Sequence, residues 1–137
     1  VVVMDGEIVG EGLNRAGATC DPTSHGEVEA IRDACTRLSV ISLKGADLYT
    51  SGEPCSMCVA TMYQVGLARM FYAGAASDSN NFFGRLTEHD PKWARAMSNQ
   101  ELREQVGLPI EQRSMPATQM MVTDMAAVFE AFIVRNT

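Results

Sequence analysis

The chain has 137 residues, 46% of them hydrophobic, enough for one domain around a single core. No run of about 18 apolar residues occurs, and Val1-Val2-Val3 is too short, and lacks the basic flank, to be a signal peptide. Eleven basic residues against 17 acidic ones give a formal net charge of −6, with no Lys/Arg cluster. That balance favours a small neutral or cationic substrate over a polynucleotide.

The chain begins without Met, directly in an apolar run, so an N-terminal piece beyond it is expected. Residues 1–4 and 7–13 read as two strands joined by Asp5-Gly6, a strong hairpin signal. Residues 14–22 read as a loop. Thr23 and Ser24 are N-cap candidates for a helix running to about Leu38, with Val28, Ile31, Ala34, Cys35 and Leu38 on its inward face. Residues 46–50 form a short strand, Ser51-Gly52-Glu53 a turn, and Pro54 suits the first position of a second helix reaching about Val65. Residues 67–73 are the next strand, with Phe71 expected in the core. A polar loop is expected over 75–88 and short helices near Asp90-Pro91 and over 100–106, with Trp93 in the core between them. An edge strand is expected over 110–115, then a final helix capped by Thr123 with Met125, Val128, Phe129, Phe132 and Ile133 on one stripe.

This order predicts an α/β domain spanning 1–137, with helices packed on a mixed sheet of about five strands. Two helices that each follow a strand begin at one edge of that sheet, where open α/β sheets bind ligands. The same placement brings His25 together with Cys55 and Cys58.

Cys55 and Cys58 lie three apart at the start of a helix, on one face, where partial positive charge favours thiolates. With His25 they supply three zinc-type ligands and leave a fourth position for water, the mark of a catalytic zinc site. This use of cysteine favours metal over disulfide and implies a reducing cytoplasm. Cys20 and Cys35 read as small buried apolar residues.

Glu27 sits two residues after His25, close enough to move protons but not placed as a ligand. Zinc lowers the pKa of bound water from 15.7 to roughly 7. Metal-assisted hydrolysis also needs protons moved from that water to the bond being broken and to the leaving group, and a single carboxylate such as Glu27 can carry them in turn. Glu53 is a rival carboxylate, better suited to complementing the dipole at the entrance of the Cys55 helix. The backbone N–H groups of Gly26 and Cys55, free at helix starts, can bind a substrate carbonyl or the attacking oxygen. Asp78, Phe82 and Phe83 are pocket candidates, an acid to read an N–H edge of a ring and an aromatic to stack on it. A loop anchored by two buried Phe is the equally open alternative.

His25-Gly26-Glu27 followed by Pro54-Cys55-Ser56-Met57-Cys58 matches the signature of zinc-dependent base deaminases, H-x-E then P-C-x-x-C. On it the chain is identified as a member of the cytidine deaminase superfamily. The segments Gly12-Leu13-Asn14-Arg15, Asp21 to Arg32 and Thr50 to Cys58 resemble two branches, bacterial guanine deaminases and tRNA adenosine deaminases. The resemblance implies the three-layer α-β-α cytidine-deaminase-like fold, one Zn2+ per subunit, a homodimer, and a base-binding role for Asn14, which otherwise reads as a turn-capping residue. Gly26 departs from the Ala common in the family, which widens the pocket floor. The C-terminal third resembles the guanine deaminase and small nucleobase-deaminase branch, where residues 110–137 would cover the active site or swap between subunits. Ser79-Asn80-Asn81-Phe82-Phe83-Gly84 departs from that branch.

The reaction implied is hydrolysis of a free purine-like base, guanine going to xanthine and ammonia. Three alternatives stay open: a tRNA adenosine deaminase, a cytosine or cytidine deaminase, and a non-catalytic zinc scaffold closed by Cys20 or His89 as fourth ligand.

Overall fold

Asp5 and Gly6 turn the chain back on itself with φ of 51° and 83°. Those are the two left-handed residues that a two-residue type I′ hairpin requires. They join β1 (Val2–Met4) to β2 (Glu7–Gly10) in the computed structural model, which describes residues 1–136, the side chain of Thr123 excepted. Val3 faces Ile8 and Met4 faces Glu7, and a bulge between Val2 and Val3 puts Val2 opposite Gly10. β1 also pairs antiparallel with β3 (Asp47–Gly52), and β3 pairs parallel with β4 (Arg69–Gly74). Among the described residues the sheet is mixed and four-stranded, in the order β2-β1-β3-β4.

Two helices seal the sheet. Helix α2 (Gly26–Leu38) follows a single helical turn, α1 (Ala16–Thr19), and buries Val28, Ala30, Ile31 and Ala34. Helix α3 (Ser56–Val65) buries Cys58, Met62 and Val65. They close over Val2, Leu43, Ala46 and Leu48, all fully buried. Each large side chain so buried contributes about 1.5–3 kcal/mol relative to exposure. The close approach of α2 depends on Gly12. A Cβ there would overlap the Gly26 carbonyl oxygen and the Ala30 nitrogen, which are backbone atoms that cannot rotate away. That contact fixes the chain at Asn14 against the first turn of α2.

Several sequence expectations are corrected. Residues 75–88 are not a loop: α4 runs Ala76–His89. Its start is held by carboxylates rather than by a Ser or Thr cap. Asp78 Oδ2 accepts from Ala75 N at 2.9 Å, and Glu53 Oε2 accepts from Ala76 N at 2.9 Å. Neither Thr23 nor Ser24 caps α2; His25 holds the cap position, and Ser24 Oγ donates instead to Glu29 Oε1 at 3.0 Å. Pro54 is buried two residues ahead of α3, whose cap position is Cys55. Cys35 is only half-buried, and Leu38, at the end of α2, is exposed. Phe71 is not core: it lies on an exposed face of the sheet and stacks on Tyr49, centroids 4.7 Å apart. Trp93 is half-buried, its ring over Gly17.

The chain packs as two compact units, Val1–Arg103 and Glu104–Thr137. The first holds the sheet, α1 to α4 and the start of α5 (Asn99–Gly107). In the second, the expected edge strand is a 3-10 turn over Ile110–Gln112. Gln105 Oε1 accepts from Ser114 N at 2.7 Å, and Arg113 Nε donates to Leu108 O at 3.0 Å. These side chains take up backbone groups that a strand would need for its ladder. Helix α6 (Val122–Asn136) carries the predicted apolar stripe, with Val128, Phe129, Phe132 and Ile133 all exposed. The cap assigned to the Thr123 side chain lies outside the described residues.

Candidate active site

The starts of α2 and α3 meet beside the carboxyl end of β3. His25 and Cys55 occupy the two cap positions in extended conformation, and Cys58 lies one turn into α3. Capping residues leave the helix axis, so both side chains turn toward the space between the helices. His25 Nδ1 is 3.5 Å from Cys55 Sγ and 3.5 Å from Cys58 Sγ, and the two sulfurs are 3.6 Å apart. A tetrahedral zinc with about 2.3 Å to sulfur and about 2.0–2.1 Å to nitrogen requires edges of about 3.8 and 3.6 Å. The donors thus fit zinc without rearrangement.

Electrostatics agree. The hydrogen bond between Cys55 and Cys58, with His25 nearby, brings the Cys55 thiol down to about 3. Cys58 moves the other way: its hydrogen bond with Cys55, its full burial and the negative charge of Glu27 push its thiol up. The Cys55 hydrogen bond also raises the pKa of His25. The two sulfurs interact strongly enough to titrate as a unit, in the place a divalent cation fills when it binds.

A cleft of about 280 Å³ opens over this triangle, lined among others by Asn14, Gly26, Glu27, Glu53 and Phe83. Glu27, in the first turn of α2, is half-buried. The first amides of α2 lie beyond the helical ladder, which starts with Glu29 N on His25 O at 2.9 Å; the ladder of α3 starts with Val59 N on Cys55 O at 3.0 Å. Asn14 is exposed, and its Oδ1 accepts from Ala16 N at 3.1 Å, leaving the Nδ2 donor for a ligand. Asn14 therefore both caps the turn at α1 and faces the cleft.

Two predicted pocket residues lie elsewhere. Asp78 is exposed and its carboxylate serves the start of α4. Phe82 is 59% exposed and lines a separate depression with Arg85, Leu86 and His89. They point away because 75–88 is helical, so neighbours project about 100° apart and only Phe83 and Ser79 reach the cleft. Glu53 caps α4 rather than α3, and also pairs with Arg103 at 3.4 Å. Among the described residues the metal cluster has three members, and neither Cys20 nor His89 joins it as the fourth ligand a scaffold would need.

Sequence reasoning missed Arg95 and Asn99, which line the cleft from the segment leading into α5. A second, more apolar cleft of about 520 Å³ adjoins the first and shares Asn14, His25, Cys55, Phe83, Arg95 and Asn99 with it; Met57, Trp93 and Met97 line the rest. No local pattern marks Arg95 as a site residue, because α4 must form before Phe83 can meet it.

Residues 1–74 match the family model for the cytidine and deoxycytidylate deaminase zinc-binding region. The chain is similar to the guanine deaminase of Bacillus subtilis, 33% identical over 132 residues, 96% of this chain and 76% of that protein. The X-ray structure of that enzyme superposes with a TM-score of 0.77, covering 100% of this chain and 78% of the other. A tRNA-specific adenosine deaminase of Agrobacterium fabrum is 37% identical over 95 residues, 65% of this chain and 62% of that protein. Zinc-fitting donors, a mixed α/β sheet and these likenesses agree: the chain belongs to the cytidine and deoxycytidylate deaminase family of zinc-binding enzymes.

Proposed function

We propose that the protein hydrolyses guanine to xanthine and ammonia. The observation that carries this reading is the likeness to a guanine deaminase along nearly the whole chain, where the tRNA-specific relative matches 65% of it. The acidic balance supports a free base over a polynucleotide.

His25, Cys55 and Cys58 would hold one zinc ion, which when bound supplies the Lewis acidity that makes water nucleophilic at neutral pH. Asn14 presents its Nδ2 donor to the ring, and Gly26 N–H offers a second donor at the helix start. Phe83 gives an aromatic wall. Glu27 accepts the proton of the attacking water, delivers it to ring N3, and then carries a proton to the exocyclic nitrogen on C2, which departs as ammonia. Water supplies the oxygen that becomes the C2 carbonyl of xanthine.

The enzyme is read as a cytoplasmic homodimer with both compact units in one deaminase domain. Metal-type use of Cys55 and Cys58 supports a reducing compartment. The exposed Tyr49, Phe71 and Tyr72 of the sheet and the exposed stripe of α6 support association with a second copy.

Incubating zinc-loaded protein with guanine, adenine, cytosine, cytidine and a tRNA substrate, and following ammonia, tests the reading. Xanthine from guanine, with at least about 100-fold lower turnover of the others, is expected. Inosine formation in tRNA with silence on guanine would replace the reading with the tRNA branch.

A further inference from the structure

Five of the protein's cationic side chains are neutralised by carboxylates: Arg32 by Glu29, Arg37 by Asp33, Arg69 by Asp47, Lys92 by Asp90 and Arg103 by Glu53. Arg95 lines the catalytic cleft and, among the described residues, has no carboxylate partner. It is nonetheless held in place. Its guanidinium carbon sits 4.0 Å from the centre of the Phe83 ring, and Nη1 donates to Asn99 Oδ1 at 3.1 Å. Phe83, Asn99 and the ligand residue His25 line the same cleft as Arg95.

A guanidinium fixed on an aromatic face and tied at one nitrogen keeps its remaining N–H donors in a planar fork. Such a fork matches two acceptors spaced as O6 and N7 of guanine. That edge lies across the ring from C2. A guanine whose C2 amine is at the metal triangle therefore turns its O6/N7 edge away from the triangle, toward the rest of the cleft wall.

We propose that Arg95 is the specificity-determining residue of this site, binding the O6/N7 edge of guanine through its fork of donors. This rests on the guanine reading above and adds how the ring is chosen. Adenine keeps N7 but carries an amino group where guanine carries O6, so an N–H would face the Arg95 donor meant for O6 and leave both of those groups unpaired. Phe83 acts beneath Arg95 as a positioning residue that sets the plane of the fork.

The test compares guanine with 2-aminopurine, which keeps the C2 amine and lacks O6, in wild-type protein, Arg95→Ala and Arg95→Lys, each zinc-loaded. 2-Aminopurine is followed as a substrate and as a competitive inhibitor of guanine turnover. The ratio of kcat/KM for guanine to that for 2-aminopurine, or of the corresponding apparent affinities, is expected to fall about 10- to 100-fold in Arg95→Ala. Arg95→Lys, which keeps the charge but not the fork, should lose part of the ratio. An unchanged ratio in both variants, with both substrates weakened equally, would show that Arg95 only supports the fold of the cleft and would overturn the proposal. Zinc content and melting temperature identify a variant that has failed to fold, in which case Arg95→Lys decides. Wild-type protein that releases no ammonia from guanine while deaminating another substrate overturns the guanine reading and the role of Arg95 with it. Guanine turnover with an unchanged ratio overturns the role of Arg95 alone.

Discussion

A methyl group on Gly26 would sit 3.3 Å from the backbone nitrogen of Asn14 and 3.5 Å from the carbonyl oxygen of Gly12. The first residue of the zinc-ligand helix is thus packed directly beneath the segment that presents the base-reading side chain. Gly26→Ala has room if Asn14 gives by a few tenths of an ångström. We expect the variant to keep its fold and gain about 0.4–1 kcal/mol from the less flexible unfolded chain, while KM rises and kcat changes little. Gly12→Ala has no such room and should cost about 3 kcal/mol or more by overpacking against backbone. Thermal melting and steady-state kinetics on the two variants check this, and equal losses in both would contradict it.

The zinc site should fail as a unit. Removing one ligand of three, in His25→Ala, Cys55→Ser or Cys58→Ser, leaves two donors on a triangle whose edges are already set at 3.5 and 3.6 Å. Loss of an outer partner alone typically costs 10–100-fold in metal affinity, so each of these variants should lose more than about 100-fold. Metal content after dialysis against a weak chelator measures it. Retention of one zinc per chain in Cys58→Ser would remove Cys58 from the ligand set.

Phe83 and Phe82 are neighbours with opposite expectations. Phe83 lines the cleft and carries the Arg95 guanidinium; Phe82 meets it edge-on at 5.4 Å and faces solvent. A partly desolvated cation–π contact is worth about 0.5–2 kcal/mol. Phe83→Ala should therefore lower kcat/KM about 3- to 30-fold, and Phe82→Ala by less than about twofold. The reverse order would restore Phe82 as the pocket aromatic.

What the sequence made legible follows the range of each signal. Asp5-Gly6 marks its hairpin within two residues, and the His25 and Cys55/Cys58 pattern announces its metal because each half sits at a helix start. The Ala76–His89 helix was hidden because one of its start contacts comes from Glu53, 23 residues earlier, and the residues after Ala76 are poor helix formers. That miss carried Asp78 and Phe82 into the pocket and left Arg95 out, since a loop gives no direction to its side chains. The exposed Phe71 illustrates the same limit: an apolar strand pattern predicts burial, and here the ring stacks on Tyr49 with Arg69 5.6 Å from its centre, on an exposed face.

The end of the sheet nearest β4 depends on pH through Asp47. Arg69 donates to both of its oxygens, at 2.9 and 2.6 Å, across the pair that starts the β3–β4 ladder. The hydrogen bond from Arg69 lowers the carboxyl pKa in the folded state. A lowered folded value means the contribution is present above the unfolded value of about 3.9 and fades as pH falls through it toward the folded value. Asp47→Asn should therefore be less stable than wild type at pH 7, with the gap closing below about pH 4. Denaturant melts at pH 7, 5 and 3 measure the gap, and one that widens toward acid would contradict the assignment.

The most direct measurement is xanthine and ammonia formation from guanine by zinc-loaded wild-type protein beside Glu27→Ala carrying the same zinc. A positioned carboxylate that moves protons contributes about 10²- to 10⁴-fold. Steady turnover is expected in the wild type and a loss of that size in the variant, with zinc bound equally in both. Equal turnover in the two proteins would take Glu27 out of the chemistry, and no turnover in either would contradict the guanine deaminase reading itself.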